Sequence, residues 1–328
     1  MRQMPHGLSE LLLRLYRLGR EADAPAFKEQ SFALIKEYLP FESGLWGAMT
    51  VMSADRTHVH WVHLDSQPLE LITNWQEYSE YDALHRDCIA EFGRTCMLNM
   101  KVPHQAARFH PKLVEHTHTY QICQVLATVT HDPVLNVRNA ISFYRGWSAR
   151  PFTEDDRQFK QELVPHLAEA WNLCVIRYVD REPNAAGVVA RAVTDRAGSI
   201  HNAEPGFTDL LRTEFPDWLG PMLPPACVSP DASADGHVFK GREILLTNLR
   251  GITDGMRLVG IQRLDAGRRL SPRELAVARE FATGRTYTEI AGRLGVAPKT
   301  VRNHLQSVYG KLGVKSKVGL VKRLDAER

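Results

Sequence analysis

Trp75, Tyr78, Tyr81, Asp82 and His85 fall within eleven residues of one another. A spacing of three sets the aromatics along one side of a helix, and a carboxylate and an imidazole follow at once. Aromatic walls with a few fixed polar groups suit the capture of a small molecule. Trp61, a little upstream, is a further candidate for that wall. Core packing beneath a sheet would use the same residue types, so spacing alone leaves both readings open. Nine of the fourteen histidines lie between His58 and His131, which raises the question of a metal or haem site. On a strand, His58 and His60 share a face while His63 joins Trp61 on the other. His116 and His118 share one only if extended. No three histidines converge by local spacing and no cysteine pair helps, so no metal ligand is expected.

The formal net charge of +3 averages two unlike parts. Residues 268–328 carry fourteen Lys/Arg against five Asp/Glu, a net +9, and the preceding 267 residues carry a net −6. A basic tail on an acidic body calls for a polyanion partner at the tail. Within it, Val301, Leu305, Val308 and Leu312 form an apolar stripe that leaves Lys299, Arg302, Asn303, Gln306 and Lys311 outside. Arg302 can donate two hydrogen bonds to guanine, Asn303 or Gln306 can pair with adenine, and lysines suit phosphates.

The elements that position these groups can be read from pattern and punctuation. At 328 residues, 44% hydrophobic and 24% charged, the chain has globular composition and the length of two or three domains. Leu8, Leu11, Leu12 and Leu15 recur at helical spacing, and residues 46–52, 59–64, 125–130 and 140–144 read as strands. Thr153 caps a helix that opens on Glu154, Asp155 and Asp156 and contains Pro165. Residues 188–200 read as a hairpin around Asp195 and Gly198, followed by a short helix at 207–215 and further strands to residue 264. In the tail, Ser271-Pro272-Arg273-Glu274 and Thr286-Tyr287-Thr288-Glu289 are capping boxes, Gly295-Val296 is a tight turn, and Pro298 and Ser316 start two more helices. The expected domains are 1–181, α+β; 184–265, a small α+β module; and 268–328, an all-α four-helix bundle.

Several classes fall away. No apolar stretch approaches the roughly twenty residues of a membrane span. Arg14 and Arg17 interrupt the N-terminal apolar run, so it does not read as a signal peptide. Cys88, Cys96, Cys123, Cys174 and Cys227 are odd in number and unpaired in spacing, which fits the reduced thiols of a cytoplasmic protein. The phosphate loop, H-E-x-x-H and G-x-S-x-G motifs are missing, and the expectation is a protein that is not an enzyme.

Leu270-Ser271-Pro272-Arg273-Glu274, Glu289-Ile290-Ala291, Leu294-Gly295-Val296, Lys299-Thr300-Val301-Arg302-Asn303-His304-Leu305 and Lys311-Leu312-Gly313-Val314 closely resemble the LuxR-type helix-turn-helix. The resemblance covers about 270–326. It implies base-facing positions for Arg302, Asn303 and Gln306, and phosphate-facing or supporting ones for Lys299, Thr300, His304, Lys311 and Lys315. Ala297 departs from the family's usual Ser or Thr helix cap, at a cost of about 1 kcal/mol. Ile141–Arg145 with Pro151–Asp156 and Pro165-His166-Leu167 resembles GAF-like sensor domains. Val193–Asn202 resembles a PAS-like module, and the Trp-Tyr-Asp run resembles the autoinducer-binding domain of quorum-sensing LuxR proteins. The resemblance implies a one-component regulator: a homodimer on duplex DNA, with RNA polymerase as a further partner. An unidentified small molecule would gate it, with no cofactor and no membrane. Ligand pocket residues would be Trp61, Trp75, Tyr78, Tyr81, Asp82 and His85. Two alternatives stand beside it: redox or metal (haem) sensing, and ligand-independent DNA binding in which the sensor folds serve dimerisation only.

Overall fold

The computed structural model describes residues 7–53, 56–180, 187–228, 236–253, 256–264, 270–312, 314 and 316–325. The domain boundaries expected at 181–184 and 265–268 lie outside the described residues. The chain divides into two compact units, residues 1–240 with 245–262, and residues 263–328 with 241–244.

In the first unit, the leucine repeat forms the buried stripe of α1 (Leu8–Glu21), and α2 (Ala24–Lys36) buries Phe27, Phe32 and Ile35. Five antiparallel strands follow: β1 (Ser43–Ser53), β2 (Arg56–Asp65), β3 (Thr95–Asn99), β4 (Gln124–Asp132) and β5 (Val137–Arg145). They are ordered β2-β1-β5-β4-β3. Between β2 and β3 lie α3 (Glu70–Gln76) and α4 (Ala83–Ala90), and between β3 and β4 lie α5 (Pro103–Ala106) and α6 (Pro111–Thr119). These short helices cover one face of the sheet. The other face is covered by α1, α2 and α7 (Glu154–Asp180).

Thr153 and Asp156 cap α7 reciprocally: the Asp156 amide donates to Thr153 Oγ1 at 3.2 Å and the Thr153 amide to Asp156 Oδ2 at 3.0 Å. The helix continues through Pro165 for 27 residues. It lies so close to α1 that a Cβ on Gly19 would meet the Ala170 carbonyl oxygen at 2.5 Å. Beyond apolar packing, α7 is tethered to three strands. Lys160 Nζ donates to Thr128 Oγ1 at 2.6 Å and to the Ile141 carbonyl at 2.9 Å. Arg157 donates to the Thr95 carbonyl, and Gln161 accepts from the Thr95 amide.

A second five-stranded sheet comprises β6 (Ala190–Thr194), β7 (Ile200–Ala203), β8 (Gly236–Lys240), β9 (Ile244–Thr253) and β10 (Met256–Arg263), with α8 (Phe207–Glu214) after β7. Its order, β7-β6-β10-β9-β8, repeats that of the first sheet. Val193, Met256 and Leu258 belong to the same buried cluster as α7 and the inner face of the first sheet.

The second unit is the expected helical bundle, made of α9 (Pro272–Ala282), α10 (Tyr287–Leu294), α11 (Pro298–Leu312) and α12 (Lys317–Asp325). Both capping boxes form: Ser271 with Glu274 at the start of α9, and Thr286 with Glu289 at the start of α10. Gly295 ends α10 at φ 66°, ψ 37°, the left-handed conformation that glycine adopts at least cost.

Candidate nucleic-acid interface and ligand cavity

Val301, Leu305 and Val308 bury one side of α11 against Val277, Ala278, Ile290 and Leu320. Lys299, Arg302, Asn303 and Gln306 are exposed, and at 3.6 residues per turn they share an arc of about 100° away from that core. Thr300 and His304 lie on the flank, half-buried. The Arg302 guanidinium carbon sits 6.0 Å from the ring centre of Tyr287, the first residue of α10. Tyr287 stacks on Phe281 at 5.7 Å, and Lys317 Nζ lies 4.9 Å from the Phe281 ring. Rings therefore support two cations on the surface of this bundle. Sequence reasoning passed over Tyr287, although its place at the first turn of a helix beside α11 is the signal that could have found it.

Lys311 takes the supporting place of the two that the resemblance implies. Its Nζ donates to Glu274 Oε2 at 2.8 Å, and Ser307 donates to Glu274 Oε1 at 2.6 Å. Burial alone would raise the Glu274 pKa, but hydrogen bonds from Lys311, Ser307 and Ser271 outweigh it and hold the carboxyl at about 2. Lys311 thus ties α11 to α9 across a buried carboxylate. Lys315 lies outside the described residues. Ala297 gives α11 only its carbonyl, which accepts from the Thr300 and Val301 amides.

In the first unit, the face of the sheet under α3, α4 and α6 encloses a cavity of about 130 Å³. Its floor is Gly47, Met49, Val59, Val62, Val125, Ala127, Val129 and Ala140, and Leu71, Ile72, Leu84, Phe109 and Leu113 roof it. Polar atoms come from Trp75, Asp82, His85, His116, Thr117, Ser142 and Tyr144. Asp82 organises one end. Its Oδ1 caps α4 by accepting from the Leu84 and His85 amides at 2.9 and 3.0 Å, and its Oδ2 accepts from Trp75 Nε1 at 2.9 Å. The His85 ring meets Trp75 edge-on at 5.3 Å. At the other end, His116 Nδ1 and the Tyr78 hydroxyl are 2.7 Å apart, and burial pushes His116 down to about 4, so it is neutral at pH 7. Burial also pushes the Tyr144 phenol well above its ordinary range.

Trp75, Asp82 and His85 are therefore brought together at one cavity. Tyr78 stands behind it through His116. Tyr81 and Trp61 do not line it. The aromatics do not share one helix, because α3 ends at Gln76 and Tyr78 leaves helical geometry at φ −135°, ψ 20°. A single 3₁₀ turn then delivers Asp82 as the cap of α4. Tyr81 is left exposed on that turn, stacked on His110 at 4.9 Å.

Trp61 points to the opposite face of the sheet, because adjacent strand residues alternate and its neighbour Val62 fills the cavity floor. There it stacks on His201 at 5.2 Å, with Lys28 Nζ 3.5 Å from its ring centre. A bulge adds to this arrangement. Ala48 pairs with Trp61 but Met49 pairs with Val59, so His60 is the extra residue and Val59 turns inward beside Val62. Strict alternation of His58, His60 and His63 therefore fails. Among the described residues no group of three or more His, Cys, Asp or Glu could hold a metal ion.

Helix, tight turn and a second helix with an exposed polar arc define a helix-turn-helix unit. Residues 268–324 match the family described as bacterial regulatory proteins, luxR family. The C-terminal domain is a LuxR-family helix-turn-helix domain. The chain is 48% identical over 48 residues to a probable HTH-type transcriptional regulator, GfsR, of Streptomyces halstedii, covering 15% of this chain and 20% of that one. It is 42% identical over 64 residues to the transcriptional regulatory protein UhpA of Escherichia coli, covering 19% of this chain and 33% of that one. The chain thus spans a third or less of the length of these relatives. Among solved structures, Escherichia coli SdiA aligns over 97% of this chain and 96% of that one, with 14% identity and a TM-score of 0.39.

Proposed function

We propose that the chain is a transcriptional regulator that binds duplex DNA as a homodimer through α11 and is gated by a small molecule held in the first unit. The observation that carries the DNA-binding half is the exposed arc of Lys299, Arg302, Asn303 and Gln306 on a helix whose other side is fully buried. Arg302 and one of Asn303 or Gln306 read base edges, and Lys299 neutralises phosphate. The three modules are 1–181, 184–265 and 268–328, the protein acts in the cytoplasm, and it is not an enzyme. RNA polymerase is the partner through which bound protein would act on transcription. Among the described residues, no helix is long and apolar enough to cross a membrane.

The effector is a mostly apolar, uncharged molecule. Asp82 is the only carboxylate among the lining residues, none of which is Lys or Arg, so an anion would enter without a counter-charge. Binding displaces the equilibrium only insofar as the effector prefers one placement of the DNA-binding domains over another. Genome-wide DNA capture with and without candidate metabolites tests both halves. Discrete captured sites that change with an uncharged apolar metabolite are expected. Uniform, sequence-independent capture would refute the base-reading arc, and capture indifferent to every such metabolite would refute the gating.

A further inference from the structure

Redox sensing would call on an exposed, low-pKa thiol such as Cys88 or Cys123, yet both are buried, and the fold brings Cys88 together with Cys96, eight residues on. Cys88 on α4 is wholly buried, lines the cavity, and sets its Sγ 3.7 Å from the Ala127 carbonyl oxygen. Cys96 on β3 stands directly opposite the same Ala127 in the β3–β4 ladder. Leu98, two residues on, faces the cavity, so strand alternation places Cys96 on that face too. Both side chains belong to one apolar cluster. β3 is the edge strand of its sheet and Cys96 is half-buried there, so it is the member of the pair that a solute reaches.

The surroundings divide the roles. The neighbouring Cys88 thiol favours the Cys96 thiolate. Burial and Asp87 oppose that, Arg94 and Lys160 support it, and the balance draws Cys96 below the ordinary thiol range. The Cys96 neighbour and burial push the Cys88 thiol up. Cys96, the half-buried member, is thus placed to attack first, and the wholly buried Cys88 to follow.

We propose that Cys88 and Cys96 are a reactive thiol pair that a hydroperoxide converts into a disulfide. The Cys96 thiolate attacks the terminal peroxide oxygen, and the O–O bond breaks. The peroxide gains two electrons and, taking one proton from solvent, leaves as an alcohol, or as water from hydrogen peroxide, while Cys96 becomes a sulfenic acid. The Cys88 sulfur then attacks the Cys96 sulfur. An S–S bond forms, the S–O bond breaks, and the departing hydroxide takes the Cys88 proton as water. The product ties α4, which supplies Leu84, His85 and Cys88 to the cavity wall, to the edge of the sheet. The pair needs no effector, so it stands or falls apart from the ligand gating above.

Full-length reduced protein treated with stoichiometric hydrogen peroxide, denatured, alkylated and digested with trypsin tests the assignment. Cleavage after Arg86, Arg94 and Lys101 separates the two cysteines into peptides 87–94 and 95–101. These two peptides are expected to be joined and two hydrogens lighter, with Cys123, Cys174 and Cys227 alkylated as before. In Cys88→Ser, the same treatment should leave a Cys96 sulfenic acid that dimedone traps. In Cys96→Ser, Cys88 should remain alkylatable. Peptides that stay unlinked in wild type, a bridge to any other cysteine, or dimedone labelling of Cys88 in preference to Cys96 would each overturn the proposal.

Discussion

Replacing Lys28 by methionine should stabilise the chain at neutral pH and remove part of its pH dependence. Lys28 is only 9% exposed, and its ammonium lies 3.5, 4.4 and 5.9 Å from the ring centres of Trp61, Trp171 and Trp46. Burial lowers its pKa from 10.5 to about 7, against smaller upward pulls from Asp195 and Cys174. His63 and His201 also face it, and burial lowers both, which keeps them from adding charge. A fall from 10.5 to about 7 corresponds to about 5 kcal/mol of disfavoured charge at neutral pH. The three indoles return about 2 kcal/mol of that. Methionine, with similar length and favourable contacts to rings, should therefore gain about 3 kcal/mol.

The pH dependence has a definite sign. The folded pKa is depressed, so between the folded value and 10.5 the unfolded chain binds more protons and stability rises with pH. The advantage of methionine is largest at and below neutral pH. It shrinks by about 1.4 kcal/mol per pH unit across a window that opens near 7, or somewhat higher once the rings are counted, and closes near 10.5. Lys160 is lowered to about 7 in the same way, but it is present in both proteins and cancels in the comparison. Urea unfolding of wild type and Lys28→Met followed by tryptophan fluorescence at a series of pH values measures the difference. A methionine variant less stable at neutral pH, or a difference that does not change with pH, would refute the reasoning.

Other substitutions separate the roles of neighbouring residues. Arg302→Ala should cost roughly 1–3 kcal/mol on the captured site and relax its specificity, read by fluorescence anisotropy against mismatched duplexes. Tyr287→Ala should cost about 0.5–1 kcal/mol, and only while Arg302 is present, so a double-mutant cycle with no coupling counts against the ring's role. Lys299→Ala should flatten the slope of log affinity against log salt by about 0.9. Lys311→Ala should leave that slope unchanged but lower the stability of the C-terminal unit by about 1–3 kcal/mol, because Glu274 loses a buried donor; a changed slope would restore Lys311 to the phosphate contacts. Gly19→Ala drives a methyl group into the Ala170 carbonyl and should cost about 1–3 kcal/mol, seen as a lowered melting temperature.

The C-terminal bundle was legible almost helix by helix, because capping boxes, a left-handed glycine and an apolar stripe are all local signals. The choice between a phosphate-facing and a supporting Lys311 was not legible, because its side chain is held by Glu274, thirty-seven residues away, and no local pattern reports a buried carboxylate. In the first unit, α1, α7 and four of the five strands of its sheet were visible from periodicity. The edge strand β3 was not, since five residues of mixed burial offer too short a pattern. The cavity was legible only in part. Trp75, Asp82 and His85 converge because Asp82 caps a helix, whereas Tyr81 was lost to a 3₁₀ turn and Trp61 to the pleat. A bulge at His60 reset the faces of β2 in a way that no run of residue types announces.

Those faces explain how one sheet can serve both a cavity and a distant helix. Along β3, Cys96 and Leu98 lie on the cavity side while Thr95 meets Arg157 and Gln161 of α7. Along β4, Val125, Ala127 and Val129 line the cavity while Thr128 accepts from Lys160. On β5, Ala140, Ser142 and Tyr144 line it while the Ile141 carbonyl accepts from the same lysine. Each strand thus alternates between a residue that an effector would touch and one bonded to α7. Close packing holds the helix in register, and a fully buried amine bonded to two strands cannot lose a partner cheaply. A shift of β4 or β5 under the proposed gating is therefore carried into α7 at Lys160, and α7 shares its core with Val193, Met256 and Leu258 of the second sheet. A molecule held in the cavity would not need to reach across the sheet, because the pleat already does.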